Sequence, residues 1–108
     1  MTGGSDGATA RRDALLARRL NLIANVSALT AEALRLNQKR AGIEMDVLRL
    51  ELEIARSGAN AQLVQDLHEA EESAEATMHA YAACEERIVA AEGDVEDVDC
   101  SIAATDGN

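Results

Sequence analysis

The chain of 108 residues contains no proline, no phenylalanine and no tryptophan, and Tyr81 is its single aromatic residue. The scarcity of aromatic and β-branched residues, together with few turn signals, argues against an all-β fold. The lack of proline removes the residue that most strongly interrupts helices, so long continuous helices are possible. We therefore predict an all-α fold whose core is built from leucine, isoleucine, valine and alanine.

Basic residues are outnumbered, with 10 Lys and Arg against 20 Asp and Glu, so the net charge is −10. Direct binding to nucleic acid or to an anionic membrane needs a basic surface, and we expect neither. No apolar run reaches the ~20 residues that span a bilayer, and the first ten residues do not resemble a secretory signal. Cys84 and Cys100 would lie roughly 24 Å apart on one helix, which excludes a disulfide between them. These features favour a cytoplasmic protein.

A single turn signal divides the chain. Gly58 suits the left-handed residue that follows a helix, and Asn60 suits the N-cap of the next helix. We predict a disordered tail over residues 1–7, a helix over 8–56, a turn over 57–60, a helix over 61–102 and a disordered tail over 103–108.

Both predicted helices carry heptad patterns, which are typical of a coiled coil. When the two patterns are folded about Gly58, all twelve layers stay in register, because the facing residue numbers always add to 117. This register predicts a long antiparallel two-helix coiled-coil hairpin. The first helix contributes Leu15, Arg19, Leu22, Val26, Leu29, Ala33, Leu36, Arg40, Ile43, Val47, Leu50 and Ile54; the second contributes Leu63, Leu67, Ala70, Ala74, Thr77, Tyr81, Cys84, Ile88, Ala91, Val95, Val98 and Ile102.

The two helices differ strongly in charge. Residues 8–56 hold nine basic and six acidic residues, whereas residues 61–102 hold one basic and twelve acidic residues. The basic cluster near the beginning of the first helix lies opposite an acidic cluster near the end of the second. Single exposed pairs contribute only a few tenths of a kcal/mol, but the set as a whole favours the antiparallel arrangement.

A second apolar stripe lies beside the heptad pattern of the first helix. It makes this helix apolar over a wider arc than a two-stranded coiled coil uses, and such exposed strips usually mark an interface. We therefore predict that the hairpin dimerises into a four-helix bundle or docks on a larger protein. The predicted interface residues are Leu16, Leu20, Ile23, Leu34, Met45, Leu48 and Leu52.

Two seam positions of the first helix hold arginine, Arg19 and Arg40. Polar residues in a coiled-coil seam commonly fix register and partner choice while lowering stability, which is the role we predict for both. The alternative is that the aliphatic stem packs in the seam while the charged group reaches water.

The sequence offers no convincing catalytic or metal-binding set. His68 with Glu72 and His79 with Glu75 are spaced to share one helix face, but they lie off the seam, and we interpret them as a solvated acidic face. Cys84 lies on the seam and is expected to be a buried small hydrophobic residue. A two-helix hairpin has hardly any interior for a pocket. We expect no enzymatic activity, no cofactor, no metal and no small-molecule substrate.

The length, the central turn and the two long helices resemble the small helical-hairpin substrates of type VII secretion. Tyr81 and Glu85 fit the Tyr-x-x-x-Asp/Glu signal of that family, but Arg56-Ser57-Gly58 stands where the family has Trp-x-Gly. The resemblance implies a secreted helical hairpin, whereas the heptad pattern accounts for Tyr81 as a seam residue.

The function predicted from these observations is a non-enzymatic structural or regulatory interaction module, such as an adaptor. Apart from the secretion substrate, the alternative is an acidic decoy that occupies the basic groove of a nucleic-acid-binding protein. A bundle would bury Leu20, Leu34 and Leu48, whereas a decoy would present the carboxylates of the second helix.

Overall fold

The protein is an all-α helical hairpin, as predicted. The computed structural model describes residues 3–107, and the side chains from residue 7 to residue 107. Helix α1 spans Gly3–Ser57 and contains 55 residues, and helix α2 spans Ala61–Asp106 and contains 46 residues. The described residues contain no strand. The described residues form two compact units. The first unit consists of residues 3–30 and 86–107, and the second consists of residues 31–85.

The turn forms as its sequence predicts. Gly58 has a φ of 85°, and its amide donates to the carbonyl of Ile54 at 2.8 Å. This left-handed residue closes the end of α1 without the steric cost that a side chain would bring. The Asn60 Oδ1 accepts a hydrogen bond from the Leu63 amide at 2.9 Å, which is the N-cap bond that begins α2.

The hairpin seam is the set of heptad residues that the sequence analysis lists, and each of them is buried or half-buried. In the second unit the most enclosed are Ala33, Leu36, Leu50, Thr77 and Cys84. In the first unit they are Ala91 and Val98. The heptad interpretation therefore identifies the core correctly. Helix α2 continues without a break through Gly93.

Both helices extend beyond the predicted bounds at the open end of the hairpin. Residues 3–7, assigned from sequence to a disordered tail, are helical, as are residues 103–106. Once a helix is nucleated, each further residue adds a backbone hydrogen bond, and no proline stops this propagation. Met1, Thr2 and Asn108 lie outside the described residues.

Ion pairs between the helices also favour the longer α2. Arg12 Nε donates to Asp106 Oδ1 at 2.7 Å, and Arg19 Nε donates to Asp99 Oδ1. Thr105 is half-buried and continues the heptad pattern of α2 one position beyond Ile102. The predicted opposition of basic and acidic clusters is thus confirmed for Arg19 and Asp99.

Candidate interaction surface

The leucine-rich face of α1 consists of the seven predicted interface residues. Six of them are exposed, and Leu16 is half-buried. Leu16, Leu20 and Ile23 belong to the first unit, and the other four belong to the second. The exposed fractions are 68% for Leu20, 59% for Leu34, 67% for Met45, 55% for Leu48 and 62% for Leu52.

Heptad position explains this exposure. Leu34 and Leu48 each follow a seam residue, Ala33 and Val47, by one position. One residue along a helix turns the side-chain direction by about 100°, so both leucines point away from α2. Leu36, two positions beyond Leu34, returns to the seam and is only 6% exposed. The hairpin leaves these leucines without apolar cover, so the surface suits a further helix.

An open groove of about 670 Å³ lies between α1 and α2 in the second unit. Val47 and Ala74 from the seam, together with Leu48 and Met78, give it an apolar lining. Its polar lining consists of Arg40, Glu44, Glu71, Glu75 and His79. The groove is wide open to solvent.

Helix α2 contributes exposed apolar residues that the sequence analysis did not single out. Val64, Met78 and Val89 are exposed. Val64 and Met78 each follow a seam residue, Leu63 and Thr77, by one position. Leu16 and Ile23 on α1 follow seam residues in the same way. Applying this heptad relation to α2 would have predicted Val64 and Met78 as surface residues.

Arg19 and Arg40 both lie at seam positions and are half-buried, but their guanidinium groups differ in partner. Arg19 bonds across the hairpin to Asp99. Arg40 Nε donates to Glu44 Oε1 at 2.9 Å, one turn further along its own helix. The stem of Arg40 therefore passes through the seam while its charge reaches the surface. Its predicted role in specificity stays a prediction.

A further local pair is formed by Arg35, whose Nε and Nη2 donate to the two carboxylate oxygens of Glu32 at 2.9 and 2.6 Å. The hydrogen bonds lower the pKa of Glu32 and raise the pKa of Arg35. At the open end of the hairpin, the bond to Asp106 similarly raises the pKa of Arg12. These pairs are exposed, so they bias local geometry rather than dominate stability.

The histidines sit in exposed helical pairs. His68 Nε2 is 3.0 Å from Glu72 Oε1, and His79 Nε2 is 3.7 Å from Glu75 Oε1. Among residues 3–107, no three His, Cys, Asp or Glu side chains form a group that could hold a metal ion. Cys84 is buried, as expected from its seam position, and Cys100 is exposed.

Comparison with protein-family models, curated proteins and solved structures gives no significant match for this chain. Neither helix, over the described residues, combines the length and apolar character needed to cross a membrane. The account of function therefore depends on the chemistry of the hairpin surface.

Proposed function

We propose that the protein is a non-enzymatic helical interaction module that self-associates or docks on a larger protein through α1. The observation that carries this proposal is the exposure of Leu20, Leu34, Met45, Leu48 and Leu52 on a helix whose opposite side already packs against α2. Large exposed apolar patches on soluble proteins commonly mark interaction sites. A structural or regulatory role, such as an adaptor, follows from this surface.

Burial of this face supplies a driving force for association. Removing a Leu-sized side chain from water contributes roughly 1.5–3 kcal/mol. Six residues from each copy, which are 37–68% exposed in the hairpin, give a gross gain of roughly 10–20 kcal/mol, of the same order as the ~4–15 kcal/mol that association costs. A second copy is the simplest partner, because it brings the same apolar surface and gives a closed assembly.

The opposing contribution is charge repulsion, since each copy carries a net charge of −10. The excess of acidic residues lies on α2, while residues 8–56 of α1 carry more basic than acidic residues. Meeting through α1 keeps most of the negative charge away from the contact. Physiological salt screens the remainder over about 8 Å.

The test is the double variant Leu34→Glu with Leu48→Glu, examined by light scattering and circular dichroism. Both residues lie off the hairpin seam, so helicity should persist while the assembly falls to monomers. Val64→Glu with Val89→Glu is the matched control, because it adds the same two charges at similarly exposed positions of α2. If the double variant keeps the wild-type mass and still binds every partner of the wild type, α1 is not the interface.

A second candidate function is an acidic decoy for a basic groove of a nucleic-acid-binding protein. The observation that favours it is the row of exposed carboxylates on α2, including Glu71, Glu75, Glu85 and Glu86. Binding of this kind would weaken steeply with salt, because it depends on charge. It would also tolerate Leu34→Glu with Leu48→Glu and fail when the α2 carboxylates are neutralised.

A further inference from the structure

A second heptad pattern runs along α1 within the second unit. We call it the outer seam, and all of its residues are exposed. They follow one another in alternating steps of four and three, as core residues of a coiled coil do. The outer seam consists of Leu34, Gln38, Ala41, Met45, Leu48 and Leu52.

The outer seam lies nearly opposite the hairpin seam. At 100° per residue, the centres of the two patterns are about 150° apart around the helix. Met45, Leu48 and Leu52 line one shallow groove of about 400 Å³. Arg49, Glu53 and Arg56 also line this groove, and Glu53 lies 4.0 Å from Arg49 on the side away from the apolar strip. The surface thus combines an apolar strip with a basic edge, as one helix of a coiled coil does before its partner binds.

Charged residues flank the outer seam on both sides. Their signs indicate which partner binds there and in which direction the partner helix runs. Glu44 and Glu51 lie along one edge, and Arg35, Arg49 and Arg56 lie along the other. When two coiled-coil helices run parallel, the acidic edge of one helix lies against the basic edge of the other. A residue on the acidic edge then faces the partner residue whose number is five higher. Glu44 would then meet the partner's Arg49, and Glu51 would meet the partner's Arg56. Two-fold symmetry repeats each pair.

An antiparallel pair brings like edges together instead. In the register centred near Ile43, Glu44 would face the partner's Glu44, and Arg35 would face the partner's Arg49. Like charges at such positions are destabilising, so the same seam disfavours this direction.

We propose that the occupant of the outer seam is the outer seam of a second copy, parallel and in register. This inference rests on the proposed self-association and specifies its geometry. Leu34 and Leu48 occupy the core positions where parallel two-stranded coiled coils commonly carry leucine, and Gln38 is a single polar core residue of the kind that fixes register. The α2 helices then lie on the outside of the pair, away from the contact.

The direction is tested by charge exchange at one predicted pair. Arg49→Glu should raise the dissociation constant of the dimer on the order of tenfold, since two attractive pairs become repulsive. Adding Glu44→Arg should restore affinity, because the pair reforms with its charges exchanged. An antiparallel dimer predicts the reverse for Arg49→Glu, which would turn its contact with Arg35 attractive, and tighter binding would overturn the proposal.

The register is tested by crosslinking with a short bismaleimide through one exposed thiol per copy, since Cys84 is buried. In a Cys100→Ser background, Ala55→Cys places one thiol on the continuation of the outer seam near the turn. The parallel dimer brings the two introduced thiols together and should crosslink, whereas Ala76→Cys on the exposed surface of α2 should not.

The outcomes separate the two proposals. A dimer that Leu34→Glu with Leu48→Glu disrupts but that Ala55→Cys fails to crosslink keeps self-association through α1 and overturns the parallel arrangement. A wild-type monomer overturns both self-association and the parallel arrangement.

Discussion

Arg12 of α1 and Asp106 of α2 form an ion pair across the open end of the hairpin, with Arg12 Nε 2.7 Å from Asp106 Oδ1. Asp106 is the last residue of α2, where a negative charge opposes the helix macrodipole, whereas Arg12 lies more than two turns into α1. In the antiparallel hairpin, Arg12 supplies the charge that compensates Asp106. The pair therefore couples the last turn of α2 to α1.

Replacing Asp106 by Asn removes this ion pair and should let the last turn of α2 fray. We expect faster amide hydrogen exchange over residues 103–106, with residues of the central seam unchanged. Asp97→Asn is the control, because it removes the same charge from an exposed position of α2 that forms no ion pair with the described residues. Equal exchange in both variants would show that the pair does not hold the helix end.

Gly93→Ala should stabilise the hairpin by about 1 kcal/mol, since glycine in a helix interior is that much less favourable than alanine. A Cβ at this position meets no atom within 4 Å, so the methyl group has room. Gly58→Ala is the matched control and should destabilise, because Gly58 adopts a positive φ of 85°. Thermal unfolding measures both, and a destabilising Gly93→Ala would contradict the helical geometry at this position.

Arg40→Leu should raise the unfolding temperature of the hairpin. Its surface pair with Glu44 contributes little, whereas a leucine in the seam adds apolar burial. We also expect looser specificity, seen as mixed oligomers in size-exclusion chromatography. A clear loss of stability would mean that Arg40 has a structural role that its contacts with Glu44 do not account for.

The seam and the turn were accessible from sequence because they depend on local periodicity and on two residues with strong conformational preferences, Gly58 and Asn60. The end of α2 could not be predicted from local sequence, because Asp106 forms an ion pair with Arg12, which is 94 positions away in the chain. The sequence also does not determine where the Arg40 side chain points. Its rotamer decides whether the guanidinium group contacts a residue across the seam or Glu44 on the same helix. Of the candidate surface, the α1 residues could be listed from the heptad pattern, whereas Met78 on α2 was missed.

The mass of the wild-type protein in solution tests the central claim most directly. Light scattering at two protein concentrations, the higher at tens of micromolar, should give about twice the monomer mass of 11.4 kDa at the higher concentration. The Leu34→Glu, Leu48→Glu variant should give the monomer mass at both concentrations, with unchanged helicity. A wild-type protein that stays monomeric at the higher concentration would contradict self-association through α1.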